Sequence, residues 1–156
     1  MAIVILGKTR CPLCEKVLEP GQEVVGFPPI FANRREAISV LSDAAVHRAC
    51  LMESRFADRA MSALADERAH RATPRVCAIC GLRIVRPEQL FAIGPMTQYG
   101  EPLARYDWFQ AHRACLKDWP AVRELAATLE RVSNSDEWDG PVLLGLVDQI
   151  NVALQA

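Results

Sequence analysis

Apolar residues along this chain keep two different rhythms. Met52, Phe56, Ala60 and Leu64 recur at every fourth position and predict a helix that fades by Ala72-Thr73-Pro74. Trp119, Val122, Leu125, Leu129 and Val132 predict another, with Pro120 in its first turn and Asp118 as its cap. A last helix opens at Pro141, where Leu143, Leu146, Val147, Ile150 and Leu154 share one face, after a polar linker over residues 133–140. The other rhythm is that of short strands. Residues 22–27 and 37–41, and later 90–93 and 104–109, have β character and are separated by loops holding proline or glycine, so each pair predicts a β-hairpin. Ile3-Val4-Ile5-Leu6 reads as a buried strand at the start of the chain.

Composition narrows this picture without changing it. The chain has 156 residues, 51% hydrophobic and 24% charged, which suits one ordinary folded domain or two small ones. No apolar run approaches the roughly 18 residues of a membrane span, and the opening run is too short for the core of a signal peptide. The expected location is the cytoplasm. Lys plus Arg number 18 against 19 for Asp plus Glu, a formal charge of -1, with no charged tail to make a polyanion or a membrane surface the main partner.

The cysteines carry the candidate chemistry. Cys11-Pro12-Leu13-Cys14 follows the opening apolar run, an order of parts that resembles the start of a glutaredoxin and equally half of a metal site. The rest of the chain separates the two readings. Cys11 and Cys14 are followed by His47 and Cys50 in V-H-R-A-C-L; Cys77 and Cys80 are followed by His112 and Cys115 in A-H-R-A-C-L. The first ligand pair recurs after 66 residues and the second after 65, and all 6 cysteines are used. Each copy thus offers three sulfurs and an imidazole, a closed set of the kind that holds zinc tetrahedrally, so two Zn2+ ions per chain are expected. Glu19-Pro20-Gly21 leaves no room after Cys14 for the helix that would activate a redox thiol, and Gly81 lets the second turn fold back sharply.

Knuckle, β-hairpin, then a helix whose first turn supplies the last two ligands is the order of a treble-clef zinc finger. The chain also resembles one half of a LIM domain, over residues 8–68 and again over 74–132. It departs from a LIM module in placing about a whole helix between its ligand quartets, and from RING fingers in not interleaving its ligand pairs. The resemblance implies an α+β protein of two tandem treble-clef-like fingers, 1–72 and 73–133, followed by a linker and C-terminal helix, 134–156. The last helix completes the second finger's core or, alternatively, forms a homo-oligomer contact.

Other constellations weigh less. No H-x-E with P-C-x-x-C, no H-E-x-x-H and no phosphate-binding loop is present, so the chain is not expected to be an enzyme. His70 reads as a helix-terminal cation. Arg48 and Arg113 either approach the thiolates or are exposed first-turn side chains. Arg34, Arg35, Arg55, Arg59, Arg68, Arg71, Arg75, Arg83 and Arg86 could form a nucleic-acid seam, but acidic residues are interspersed. The expectation is a non-catalytic adaptor that binds another protein, through the loop Phe27-Pro28-Pro29-Ile30-Phe31 and its counterpart Met96-Thr97-Gln98-Tyr99. The alternatives are nucleic-acid binding and a thiol redox switch or glutaredoxin-like oxidoreductase that closes a Cys11–Cys14 disulfide.

Overall fold

Each half of the chain is organised on a two-stranded antiparallel sheet whose second strand ends at a histidine. The computed structural model describes residues 3–96, 100 and 102–155. They form two compact units, the first ending at Ala69 and the second beginning at His70. Secondary structure is mixed helix and small hairpins, an α+β arrangement. Among the described residues no helix is long and apolar enough to cross a membrane.

In the first unit β1 (Val24–Gly26) pairs with β2 (Ala45–His47), Val24 lying opposite His47 and Gly26 opposite Ala45. The chain then enters α1 (Arg48–Met52) and, after a turn, α2 (Ala57–Ala72), the last three residues of which belong to the second unit. In the second, β3 (Leu90–Ala92) pairs with β4 (Gln110–His112), Leu90 opposite His112. A 3-10 helix (Arg113–Asp118), α3 (Val122–Ser133) and α4 (Val142–Gln155) follow. Ahead of each sheet a single antiparallel bridge, Arg10 to Val17 and Val76 to Arg83, closes a narrow turn that holds the C-x2-C pair.

The hairpins are real, but their second strands lie closer to the ligands than the residue types suggested. Residues 37–41 form a 3-10 helix (Ala37–Leu41), and 104–106 another (Ala104–Tyr106). The buried pairs Ile38 with Leu41 and Leu103 with Tyr106 explain this, because a spacing of three puts both side chains on one side of a 3-10 turn but on opposite faces of a strand. The opening run 3–6 is not a buried strand either: Ile3 and Ile5 are exposed and the segment ends in turns.

Two helix expectations also shift. Met52 is exposed and Leu51 enters the core in its place, since α1 stops at Met52 and α2 starts a new register with Ala60 and Leu64 buried. Asp118 does not cap α3; Trp119 follows it as the end of the 3-10 helix, and Ala121 occupies the cap position without a side-chain bond. The α4 stripe holds through Leu143, Leu146, Val147 and Ile150, with Ala153 rather than Leu154 fully inside.

The largest correction concerns the expected docking loop. Phe27, Ile30 and Phe31 are 1%, 4% and 3% exposed, and they pack with Leu18, Val46 and Leu51 as the centre of the first unit's core. A unit of this size has few large apolar residues to bury and cannot leave three of them at a loop tip. Met96 is buried too, and the rest of its expected loop, residues 97–99, lies outside the described residues.

The second unit is built around Phe91, Leu116, Leu125, Leu129 and Leu143. Phe109 stacks on Trp119 at 4.7 Å, and the Tyr106 ring meets Trp119 edge-on. The linker is anchored as well: Trp138 is buried and donates its indole N–H to the Gly140 carbonyl at 2.9 Å.

Backbone strain recurs in register. Glu15 (φ 61) and Gly81 (φ +72) occupy the same left-handed position after each C-x2-C, and Asp43 (φ 52) and Trp108 (φ 55) the same position before each second strand. A left-handed Glu costs about 1 kcal/mol or more, which glycine avoids apart from its entropy. We therefore expect Glu15→Gly to stabilise the metal-loaded protein by about 0.5 to 1 kcal/mol and Gly81→Ala to destabilise it by about 1 kcal/mol in urea unfolding. Phe27→Ala should cost about 3 to 5 kcal/mol; a near-neutral result in the same assay would contradict its place in the core.

Candidate metal centres

Each site is assembled from two local pieces that fold for independent reasons. The first piece is the tight turn. Glu15 N–H donates to the Cys11 carbonyl at 2.7 Å and Cys11 N–H to the Lys16 carbonyl at 2.9 Å; Gly81 to Cys77 and Cys77 to Leu82 repeat both bonds at 2.9 Å. These bonds hold the two thiols of each C-x2-C pair on one side of the turn. The second piece is the end of β2 or β4 with the helical turn after it, where His and Cys three residues apart share a face. One local difference follows from sequence: Ala78 N–H donates to the Gln110 carbonyl at 2.8 Å, a bond for which Pro12 of the first copy has no donor.

The structure brings Cys11, Cys14, His47 and Cys50 together, and likewise Cys77, Cys80, His112 and Cys115, with the donor atoms of each set within 4.8 Å of one another. His47 Nδ1 stands 3.4 Å from Cys14 Sγ and 3.8 Å from Cys50 Sγ, and His112 Nδ1 stands 3.5 Å from Cys80 Sγ. The nitrogen–sulfur edge of a zinc tetrahedron is about 3.5 Å, from bonds of about 2.0 and 2.3 Å. Donor type, donor number and spacing therefore fit one soft divalent ion per set.

Cys11 and Cys77 are fully buried, whereas Cys14, Cys50 and Cys115 are half-buried and Cys80 is exposed. A groove of about 640 Å³ runs past the first set, lined by Cys14, His47 and Cys50 with Lys16, Glu19, Gln22 and Glu23.

The thiols of each set divide in character. Burial raises Cys11, but the backbone N–H groups of His47, Leu13 and Cys14 outweigh it and hold the thiol at about 7 against an ordinary 9.0. Cys77 sits at about 6, its burial outweighed by backbone donors from Cys80, His112 and Ile79, including His112 N–H at 3.3 Å. Cys50 rises to about 11 and Cys115 to about 12, through burial first and then through the neighbouring sulfurs, which penalise another negative charge. The geometry thus gathers sulfurs that resist ionising together, a conflict that a bound cation removes.

The arginines of the two H-R-A-C motifs do not meet the thiolates. Arg48 is an exposed side chain whose Nε lies 3.6 Å from Glu23 Oε2. Arg113 donates to the Leu90 carbonyl at 3.1 Å and to Gln149 Oε1 at 2.8 Å, tying β3 to α4. His70 is not a ligand; it stacks on Trp108 at 4.3 Å and bonds the Gln110 amide. Sequence reading missed Gln22, whose side-chain oxygen lies 2.9 Å from His47 Nε2. Its position two residues before the strand that faces His47 was the available signal, legible only once the pairing register is known.

No protein-family profile, curated protein or solved structure matches this chain.

Because Cys50 and Cys115 sit far above neutrality without metal, ion binding at pH 7 must expel their protons, and affinity must fall as pH falls. Calorimetric zinc titration in buffers of different ionisation enthalpy should show at least one proton released per ion; none would contradict the assignment. Cys11→Ser and Cys77→Ser should each reduce metal capacity from two ions per chain to one by mass spectrometry under native conditions.

Proposed function

We propose that this chain is a non-catalytic zinc-binding adaptor or regulatory module that binds another protein, with two treble-clef-like fingers that each fold around a structural zinc. The observation that carries this reading is that both fourfold donor sets are complete within the protein, leaving no coordination position for a substrate. The order of parts in each unit supports the finger assignment: bridged turn, two-stranded hairpin, ligand-bearing helical turn. Zinc contributes on the order of 10 kcal/mol of folding free energy per site, as in zinc-finger peptides.

The partner surface is supported by a contrast between the copies. Val76, Leu82 and Val85 of the second metal turn are 48%, 66% and 77% exposed, and at the repeat-equivalent positions the first copy has Arg10, Lys16 and Glu19. A solvated turn has no need of three exposed aliphatic side chains, and the first copy shows that charges suit the same backbone. Arginines favour protein over nucleic acid as partner: Arg59 pairs with Glu36, Arg105 with Glu124 and Arg48 with Glu23, so part of the basic surface is already neutralised.

The test copies the first turn's charges onto the second. The double variant Leu82→Lys, Val85→Glu should keep two zinc ions and an unchanged circular dichroism spectrum while losing the partner captured by crosslinking with the unaltered protein. Retention of that partner would remove the turn from the interface. Salt-sensitive retardation of DNA or RNA by the unaltered protein would favour the nucleic-acid reading instead.

A further inference from the structure

We infer that the two metal sites are not equivalent: Gln22 positions the His47 imidazole and makes the first site the persistent one, while the second site, with no such bond, is the exchangeable one. This rests on the reading of both sets as zinc sites.

The argument begins with which atom of the Gln22 amide faces the ring. Glu19 N–H donates to it at 2.7 Å, so that atom is the oxygen, an acceptor only. The same oxygen lies 2.9 Å from His47 Nε2. His47 must therefore carry its proton on Nε2 and present the Nδ1 lone pair toward Cys14 and Cys50, which is the tautomer and the orientation that ligation requires. The ring is set in advance of any ion. Outer bonds of this kind are worth roughly 10- to 100-fold in metal affinity.

The second copy has lost the device through its turn. In the first copy Pro20-Gly21 leads to Gln22, with Gly21 left-handed at φ +87 and Gln22 N–H returning to the Glu19 carbonyl at 3.3 Å. In the second, Pro87 starts a 3-10 turn that is one residue shorter between the proline and β3, and Glu88 stands at the register position of Gln22. Among the described residues His112 Nε2 has no partner. Cys80 is exposed where its counterpart Cys14 is half-buried. The first site is not a closed one, since a groove of about 640 Å³ lined by Cys14, His47 and Cys50 runs past it.

The experiment follows zinc transfer from the fully loaded protein to a chromogenic pyridylazo chelator. Release should be biphasic, one ion in each phase; Cys80→Ser should remove the fast phase and Cys14→Ser the slow one. Gln22→Ala should accelerate the slow phase roughly 10- to 100-fold and leave the fast phase unchanged, and Gln22→Glu, which keeps the acceptor, should restore the slow rate. Nitrogen-15 spectra of the loaded protein should show the Nε2–H form of His47, broadened by solvent exchange in Gln22→Ala. Two ions leaving at one rate, or a slow phase indifferent to Gln22→Ala, would overturn this inference alone. Uptake of fewer than two ions would overturn the zinc reading and this one together.

Discussion

Four soft donors held within 4.8 Å of one another are the constraint on which each unit depends. Two of them come from a turn that closes on itself, and two from the end of a strand some thirty residues later. Each sheet has only two strands of three residues, and such a hairpin is marginal by itself, so it gives those pieces little support. Burial and then the neighbouring sulfurs oppose ionisation there, which raises the Cys50 and Cys115 thiols. A bound cation would turn that opposition into attraction and so would couple the fold of each unit to metal binding.

Spacing is a property of the chain itself, so the eight donors are legible in the sequence alone, as is the order turn, hairpin, helix. Which short segment becomes the second strand is not. Residue type favours 37–41 and 104–109, yet in each unit the second strand is the segment that ends at the histidine of the donor set, a choice that β propensity alone does not make. Phe27-Pro28-Pro29-Ile30-Phe31 misleads for a related reason. Two prolines signal a stiff loop correctly, but stiffness does not say which side the aromatic rings take, and here the Phe27 and Phe31 rings lie 6.3 Å apart inside the core. Gln22 is invisible in the sequence because it acts across the sheet, through a partner 25 residues away.

The repeat shows what the frame demands and what it leaves free. Both copies keep a left-handed residue after the second cysteine and another before the second strand, at Glu15 and Gly81 and at Asp43 and Trp108. Only one of the four is glycine. The strain at Glu15 is met by Arg10, whose guanidinium holds the Glu15 carbonyl at 2.9 Å, and Val76 has no such task because Gly81 needs no such support. That release is what permits an exposed valine where the first copy has an arginine.

The same freedom accounts for the identical arginine in two different roles. Arg48 and Arg113 leave the backbone at equivalent points, one residue past the ligand histidine, and each side chain takes what lies nearest. In the first unit that is Glu23, in an exposed ion pair of little energetic consequence. In the second it is the Leu90 carbonyl and Gln149, the latter supplied by α4, which has no counterpart in the first unit. Residues of the donor sets recur in the same places in both copies, while residues one step outward answer to whatever packs on them. Differences between two copies of one frame are therefore most informative in that next layer, where Gln22, Arg10 and Arg113 each make a bond that the other copy lacks.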